Sequence, residues 1–533
     1  MDSNVLNDHV NDQNASGPLV KQAGVANVWE LFLSCARAAP DAIALIDDNG
    51  ELTYRQVTER ASAYGDHLIG LGFESGDRLS LLSRNRNEYL IIELAAARHG
   101  IILAALNWRL STREQTHCIE LVAPKLLIAE TDLLADVERL DLGGVRVSTL
   151  ESFDHDAVDA ASTCEEASRP SSRQSFDLET GLVILYTSGT TGLPKGALIS
   201  HRAMIARAQC FVSELALPRD SGFVAWAPLY HMASTDHSLA TLMRGGTVYV
   251  VDGYQPKRLI SLLESVSIGW FVLMPGMVGD FAKACAEHGV QVHDTKVCGA
   301  MADLVPREDI AAVTTQLGVP YLNTFGATET GLPPATGALI APGSTDFTLS
   351  KRQSAFVSLR LVDPDDHDVE SGQPGEVALR GSTLFSGYWN AAETNAHDFR
   401  NGWFHMGDVM RRNADGTLDY VDRAKYLIKS GGENIYPAEI EQVAKQDERV
   451  VEAVAIRQPD AKWGEVPVLL VVPTSSALTS EQLREGVLSS LSRYKQPRDI
   501  HFVDEADISR STTGKIQRHI LETRYASRVT GDG

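Results

Sequence analysis

An α/β fold in at least two domains is what this sequence predicts, and three observations carry that expectation. The chain has 533 residues, 44% of them hydrophobic, enough for a large interior and well past the roughly 250–300 residues at which single cores stop growing. Short apolar runs alternate with amphipathic stretches of helical period, the pattern of sheets covered by helices. Near Asp422 the texture changes to a charged junction, Asp422-Arg423-Ala424-Lys425, followed by Gly431-Gly432 and a final stretch with its own helix and strand pattern. Boundaries fall in polar, Gly-containing segments of this kind, so the expected division is a large domain over 1–422, a junction at 423–425 and a small C-terminal domain over 426–533.

Taken in order, Met1 to Gly17 is polar and lacks the basic start and apolar stretch of a signal peptide, so export is not expected. Trp29 to Ala38 is amphipathic, Ile43 to Ile46 strand-like, Tyr54 to Leu71 helical and Arg78 to Leu82 strand-like. Asp154 to Asp177 is rich in Ser, Ala, Asp and Glu and predicts an exposed linker. Gly181 to Tyr186 predicts a buried strand, and Thr247–Val251, Pro256–Val266 and Trp270–Met274 continue the alternation as strand, helix and strand. The longest apolar runs, such as Ile101 to Leu106 and Val466 to Val472, fall far short of the ~20 residues that span a bilayer, so no membrane span is expected.

Charge narrows the partners. Lys and Arg number 48 against 70 Asp and Glu, a formal charge of −22, so the surface repels nucleic acid and anionic membranes while leaving room for a local basic pocket. The six cysteines are scattered without a Cys-x-x-Cys pair, which predicts neither a zinc site nor a disulfide framework and fits a reducing cytoplasm. A homodimer is compatible with everything above.

The most informative segment is Tyr186-Thr187-Ser188-Gly189-Thr190-Thr191-Gly192-Leu193-Pro194-Lys195-Gly196. Its glycines let the backbone turn with N–H groups inward, its hydroxyls add donors and Lys195 adds a positive charge, so it suits a polyphosphate. Pro194 before the Lys and Gly196 after it depart from the Walker A pattern, which needs Gly-Lys-Ser/Thr opening a helix.

This loop resembles the phosphate-binding signature of the adenylate-forming (AMP-binding) superfamily, which holds acyl-CoA synthetases and aryl-CoA ligases, and the rest of that pattern follows in order. Leu106-Asn107-Trp108-Arg109-Leu110 resembles an early Leu-Asn-x-Arg-Leu element, Pro228-Leu229-Tyr230-His231 the fourth core motif, and Asn323-Thr324-Phe325-Gly326-Ala327-Thr328-Glu329 the Gly-x-Thr-Glu motif. Gly402 to Asp408 resembles Gly-Trp-x-x-x-Gly-Asp, Asp422 to Lys425 with Ser430 to Pro437 the hinge and following loop, and Ser511 to Ile516 the C-terminal Gly-Lys-Ile motif.

The resemblance implies layered α/β sheets with a distorted β-barrel in the large domain and a mobile α+β C-terminal domain. It also implies an ATP- and Mg²⁺-dependent ligase that joins a small carboxylic acid to coenzyme A through an acyl-adenylate. Such chemistry brings a carboxylate against a triphosphate, so cations and fixed donors must converge. Thr187, Ser188, Gly189, Thr190, Thr191 and Lys195 would take the phosphates; Glu329 would hold Mg²⁺ and count with Lys515 and His231 as catalytic. Asn323, Thr324, Phe325, Gly326 and Thr328 would line the nucleotide, with Phe325 against adenine. Asp408 and Arg423 would meet the ribose. Lys515 would reach the carboxylate and α-phosphate for the first step only, so Lys425 would act as the hinge of a domain swing. Lys429, Gly431 and Gly432 would face the CoA tunnel, and His231, Met232, Met274, Met277, Gly299, Ala300 and Leu332 would line the acyl pocket.

Three places depart from the pattern. Cys298-Gly299-Ala300-Met301-Ala302 stands where Gly-Gly-Ala-Pro is common, and Ile508-Ser509-Arg510 where Leu-Pro-Arg is. Ser234-Thr235-Asp236-His237 is more polar than usual, readable either as a pocket for a polar or ring-bearing acid or as helix surface. Two alternatives to a CoA ligase remain: loading of a carrier-protein thiol, and a non-catalytic acyl-AMP sensor. Near His231 there is no Phe-Asp of the kind that holds an α-ammonium group, nothing after Lys515 resembles a carrier domain, and a sensor could shed Lys515 without losing nucleotide affinity.

Overall fold

The computed structural model describes residues 26–163, 177–187, 193–430, 433–460, 462–510 and 516–526. The chain divides into two compact units, one of Met1–Ser358 with Arg380–Arg400 and one of Leu359–Leu379 with Asn401–Gly533.

The first unit holds two sheets. One runs Arg146–Thr149, Leu126–Ala129, Arg78–Leu82, Ile102–Leu106, Gly181–Thr187, Lys195–Ser200, with every neighbour parallel except the last pair. Its inner strands are buried along almost their whole length. That is why they read as continuous apolar runs instead of alternating ones. The other sheet passes, within this unit, through Lys351–Gln353, Gly331–Ile340, Tyr321–Ala327, Asp294–Ala300, Ser267–Val272, Gly222–Ala225, Val248–Val250, Ile43–Asp47 and Gly50–Thr53. From Tyr321–Ala327 to Ile43–Asp47 its neighbours are parallel. The carboxyl ends of four adjacent strands therefore open along one edge, where open α/β sheets hold their ligands.

Helices cover these sheets. Val28–Ala38, Tyr54–Gly70 and Thr112–Val122 each open with a capping box, Asn27 with Glu30, Thr53 with Gln56 and Ser111 with Glu114, which satisfies donors the first helical turn leaves orphaned. The expected linker is corrected over its first part: the helix Leu150–Thr163 runs through it. Phe153 and Ala157 are buried on one face of that helix, and the Asp154 carboxylate accepts from Tyr64 Oη at 2.5 Å and Arg60 Nη2 at 2.8 Å. Two apolar residues four apart are enough to dock a helix that composition alone marks as solvated.

In the second unit, Ser358–Val362, Pro374–Arg380, Phe404–Arg412 and Leu418–Arg423 lie side by side, antiparallel across Phe404–Arg412. The described residues form no closed barrel, which corrects the expected distorted β-barrel. Closure needs every strand to have two partners, and Ser358–Val362 ends its run with Pro374–Arg380 alone. A separate five-stranded sheet is centred on Gly464–Pro473. Leu469 and Val471 pack to one side with Ile428, Ile440 and Leu483, while Val468, Leu470 and Val472 pack to the other with Val454, Ile456, Leu521 and Tyr525. Burial of both faces explains the apolar run Val466 to Val472.

Cys35, Cys118, Cys210, Cys285 and Cys298 are buried and unpaired; Cys164 lies outside the described residues. Among those residues no helix is long and apolar enough to cross a membrane.

One buried carboxyl stands apart. The helix Asn87–His99 is enclosed from Tyr89 to Ala97, and both carboxyl oxygens of Glu93 lack a hydrogen-bond partner. Burial, with the Asp236 charge adding to it, pushes the Glu93 pKa from its ordinary 4.5 up to about 8. The folded state thus binds this proton more tightly than the unfolded state, and stability falls as pH rises from about 4.5 to about 8. The expected outcome is that Glu93→Gln removes that slope and stabilises the protein above pH 8 by about 2–5 kcal/mol. Urea midpoints of both proteins between pH 5 and 9 check it.

Candidate active site

The phosphate-loop motif closes a β-hairpin. Gly181–Thr187 and Lys195–Ser200 pair antiparallel with Thr187 opposite Lys195, so the two stand together at the base of a loop whose Ser188, Gly189, Thr190 and Thr191 lie outside the described residues. His117 Nε2 lies 3.1 Å from the Pro194 carbonyl oxygen. The second strand is also paired on its outer edge: Trp389 N donates to Gly196 O at 2.7 Å and Leu198 N to Gly387 O at 3.0 Å. Gly196 is required here, because a Cβ would meet Ile184 Cγ2 at 2.9 Å.

That outer pairing delivers Tyr388, a residue the sequence reading missed. Its hydroxyl donates to Glu329 Oε1 at 2.7 Å, and Lys195 Nζ sits 4.8 Å from the centre of its ring, within cation–π reach. Phe385 N donates to the Glu329 carbonyl at 2.8 Å. One aromatic residue therefore touches both the expected phosphate-binding lysine and the expected magnesium ligand. No group of three or more metal-ligating side chains occurs among the described residues. A lone half-buried carboxylate suits Mg²⁺, which takes one or two carboxylates and completes its shell with water and nucleotide phosphates.

The strand ends gather most of the remaining candidates. Ala300 pairs with Asn323 across neighbouring parallel strands, and a Cβ on Gly299 would meet Leu322 O at 2.3 Å. The Asn323 amide is spent inside the protein, accepting from Ala302 N at 2.8 Å and donating to Leu349 O at 3.0 Å. Thr324, Phe325, Met232 and Ala300 are buried; Thr328, Glu329, Leu332, Met274 and Met277 are half-buried. Gly326 has no room for a side chain, since a Cβ would meet Gly331 O at 2.1 Å. His231 caps the helix Met232–Leu242, its Nδ1 accepting from Ala233 N at 3.1 Å. That bond fixes the neutral ring with its proton on Nε2.

Arg207 is the second residue missed. Fully inside the protein, it donates to Thr383 O at 2.9 Å, Thr328 O at 3.0 Å and Asp236 Oδ2 at 3.2 Å. Ser234, Thr235, Asp236 and His237 are all buried, so the helix-surface reading of that stretch is overturned. Burial pushes the Asp236 carboxyl up while Arg207 holds it down.

In the second unit Asp408 and Arg423 face each other across antiparallel strands, with Arg423 Nε 2.7 Å from Asp408 Oδ1. Gly407, before Asp408, has φ +74°, a conformation that favours glycine. Asp422 accepts from Arg423 N and Ala438 N, both at 2.7 Å. Lys425 and Lys429 are exposed. Gly431, Gly432 and Lys515 lie outside the described residues.

Comparison with known proteins decides the family. A family model described as AMP-binding enzyme matches residues 32–389, and one described as AMP-binding enzyme C-terminal domain matches 439–515. The chain belongs to the AMP-binding enzyme family. This AMP-binding enzyme is similar to a feruloyl-CoA synthase of Amycolatopsis sp., 30% identical over 501 residues that cover 92% of this chain and 97% of that protein. It is also similar to an indoleacetate–CoA ligase of Aromatoleum aromaticum, 29% identical with coverages of 90% and 94%. Among solved structures, a fatty acyl CoA synthetase of Mycobacterium tuberculosis matches with TM-score 0.75 and 26% identity over 94% of this chain and 99% of that one.

In this AMP-binding enzyme, Tyr388→Phe keeps the ring beside Lys195 and removes the hydroxyl that orients Glu329. With Glu329 as the expected magnesium ligand, pyrophosphate release is expected to fall about 10- to 100-fold, the usual cost of losing a group that orients a metal ligand. Steady-state rates at saturating ATP, with melting temperature as the control for folding, check it.

Proposed function

We propose that Lys195, Glu329 and Lys515 form the reacting centre of this chain and that its acid is ring-bearing. The chain is an AMP-forming acid–thiol ligase using ATP, Mg²⁺ and coenzyme A. A carboxylate oxygen attacks the α-phosphorus and pyrophosphate leaves; the CoA thiol then attacks the acyl carbon and AMP leaves, giving the thioester. The observation that carries the assignment of roles is the meeting of Lys195 and Glu329 on Tyr388 beside the phosphate-loop hairpin. Two mutually repelling anions must react there, so fixed positive charge where the leaving group develops is the main requirement. Lys195 supplies it toward the β/γ-phosphates, and Lys515 toward the carboxylate and α-phosphate. Mg²⁺ on Glu329 would neutralise phosphate charge.

Asp408 and Arg423 hold the ribose, and Asn323, Thr324, Phe325, Gly326 and Thr328 border the base. Lys425, in the junction 423–425 between domains 1–422 and 426–533, is the pivot that withdraws Lys515 and brings Lys429, Gly431 and Gly432 to the CoA thiol. The acids named for the relatives, feruloyl, indoleacetate and 2-succinylbenzoate, all carry rings, which supports an aromatic substrate. The buried, unpaired cysteines suit a reducing cytoplasm.

The test is pyrophosphate release across aromatic, alicyclic, short and medium acids, each with and without CoA. Multiple turnover only with CoA, together with a thioester by mass, is expected, with aromatic acids leading. Lys515→Ala is expected to slow adenylation about 10²–10³-fold with ATP binding intact. Release by no acid sinks the reading.

A further inference from the structure

Glu329 sits in the loop of a hairpin whose strands pair Ala327 with Gly331, and a carboxylate on so short a loop has no fixed direction unless the loop is held. Within it, Thr330 N donates to Ala327 O at 3.0 Å. Its attachment outside is to the segment 383–388, where Phe385 N donates to Glu329 O at 2.8 Å and Tyr388 Oη to Glu329 Oε1 at 2.7 Å. Those two contacts aim the carboxylate only while loop and segment keep one offset. A slide of either against the other carries the Tyr388 hydroxyl off its target.

A side chain outside both pieces fixes that offset. Arg207, on the helix His201–Leu215, donates from Nη2 to Thr328 O at 3.0 Å, the carbonyl just before Glu329, and from Nε to Thr383 O at 2.9 Å, two residues before Phe385. A guanidinium carries its donors in a rigid planar fork, so the two carbonyls are set against each other and against the helix. Nη1 goes to Asp236 Oδ2 at 3.2 Å, and both members of this ion pair are buried. Burial disfavours the Arg207 cation, while the Asp236 and Glu329 charges favour it. The hairpin also closes directly on the Arg207 stem, since a Cβ on Gly331 would meet Arg207 Cγ and Cδ at 2.8 Å. A buried pair seldom adds much net stability over an apolar one, so what it positions accounts for it better.

Resting on the assignment of Glu329 to Mg²⁺ above, we propose that Arg207 is a positioning residue for the metal site. By holding the Thr328 and Thr383 carbonyls on one fork it aims the Glu329 carboxylate at the magnesium that accompanies ATP. Asp236 balances the guanidinium charge and does not aim Glu329 itself. Loss of the two carbonyl contacts therefore weakens Mg²⁺ at the nucleotide, whereas loss of the Asp236 charge alone weakens the fold.

The experiment measures, by isothermal titration calorimetry, the factor by which Mg²⁺ tightens binding of α,β-methylene ATP, which cannot release pyrophosphate. Melting temperature is read in parallel. Arg207→Met is expected to lower that factor about 10-fold or more, as the loss of a group that orients a metal ligand does, with binding of the metal-free nucleotide close to unchanged. Arg207→Met combined with Asp236→Leu leaves neither charge buried alone, so it should melt above Arg207→Met and show the same loss. Asp236→Asn keeps both carbonyl contacts, so it should melt below the unmutated protein and retain the factor. Arg207→Lys keeps a cation beside Asp236 without the fork; it should lower the factor several-fold and serves if Arg207→Met does not fold. A factor that simply follows melting temperature across these variants, or that the Arg207 variants leave unchanged, would mean that the pair only holds the fold and would overturn the inference alone. Glu329→Gln should lower the factor as well. If it does not, or if Mg²⁺ fails to tighten binding to the unmutated protein, the assignment of Glu329 falls and takes this inference with it.

Discussion

Parallel pairing is the constraint from which the first unit follows. A parallel neighbour cannot be reached by a tight turn, so each pair demands a crossover, and the crossovers cover both faces of the sheet. It also aligns every strand in one direction. Tyr321–Ala327, Asp294–Ala300, Ser267–Val272 and Gly222–Ala225 are neighbours, so the segments that follow them, distant in sequence, emerge side by side. Ala300, Asn323, Thr324 and Phe325, on two of these strands, are brought together in this way.

Buried ion pairs then fix those emerging segments. Lys351, fully enclosed, donates to Asp303 Oδ2 at 2.6 Å and to Leu349 O at 3.0 Å, tying the turn after Gly299-Ala300 to the strand Lys351–Gln353. Arg207 joins the turn at Thr328 to the segment at Thr383. In the second unit Arg518 Nη2 reaches Glu441 at 2.6 Å, fixing the helix Pro437–Ala444 that Asp422 caps. Buried pairs of this kind seldom add much net stability over an apolar replacement. Their value here is geometric, since each holds a loop in one register.

Much of this was legible in the sequence wherever the determinant is local. Arg78–Leu82 has the expected bounds, and the buried strand expected over Gly181 to Tyr186 is found as Gly181–Thr187; its antiparallel partner Lys195–Ser200 was not read. The motifs marked Glu329, Asp408 and His231 because each sits inside a recognisable order of neighbours. Tyr388 carried no such mark: it meets Glu329 across 59 positions through a single bridge to Ala197. Arg207 carried none either, and only the fold shows that three oxygens receive it in the interior. Asp154 to Thr163 was misread because composition weighs every residue equally, whereas docking needs only Phe153 and Ala157 on one face.

Tyr388 couples two positions that have no contact of their own in the sequence. Lys195 rests on its ring and Glu329 on its hydroxyl, so a change at any one of the three alters the setting in which the other two act. Coupled sites of this type do not combine additively. In evolutionary terms, coupling of this kind makes the effect of a replacement at one of the three depend on what stands at the other two, so the routes open to the trio are narrower than three independent positions would allow.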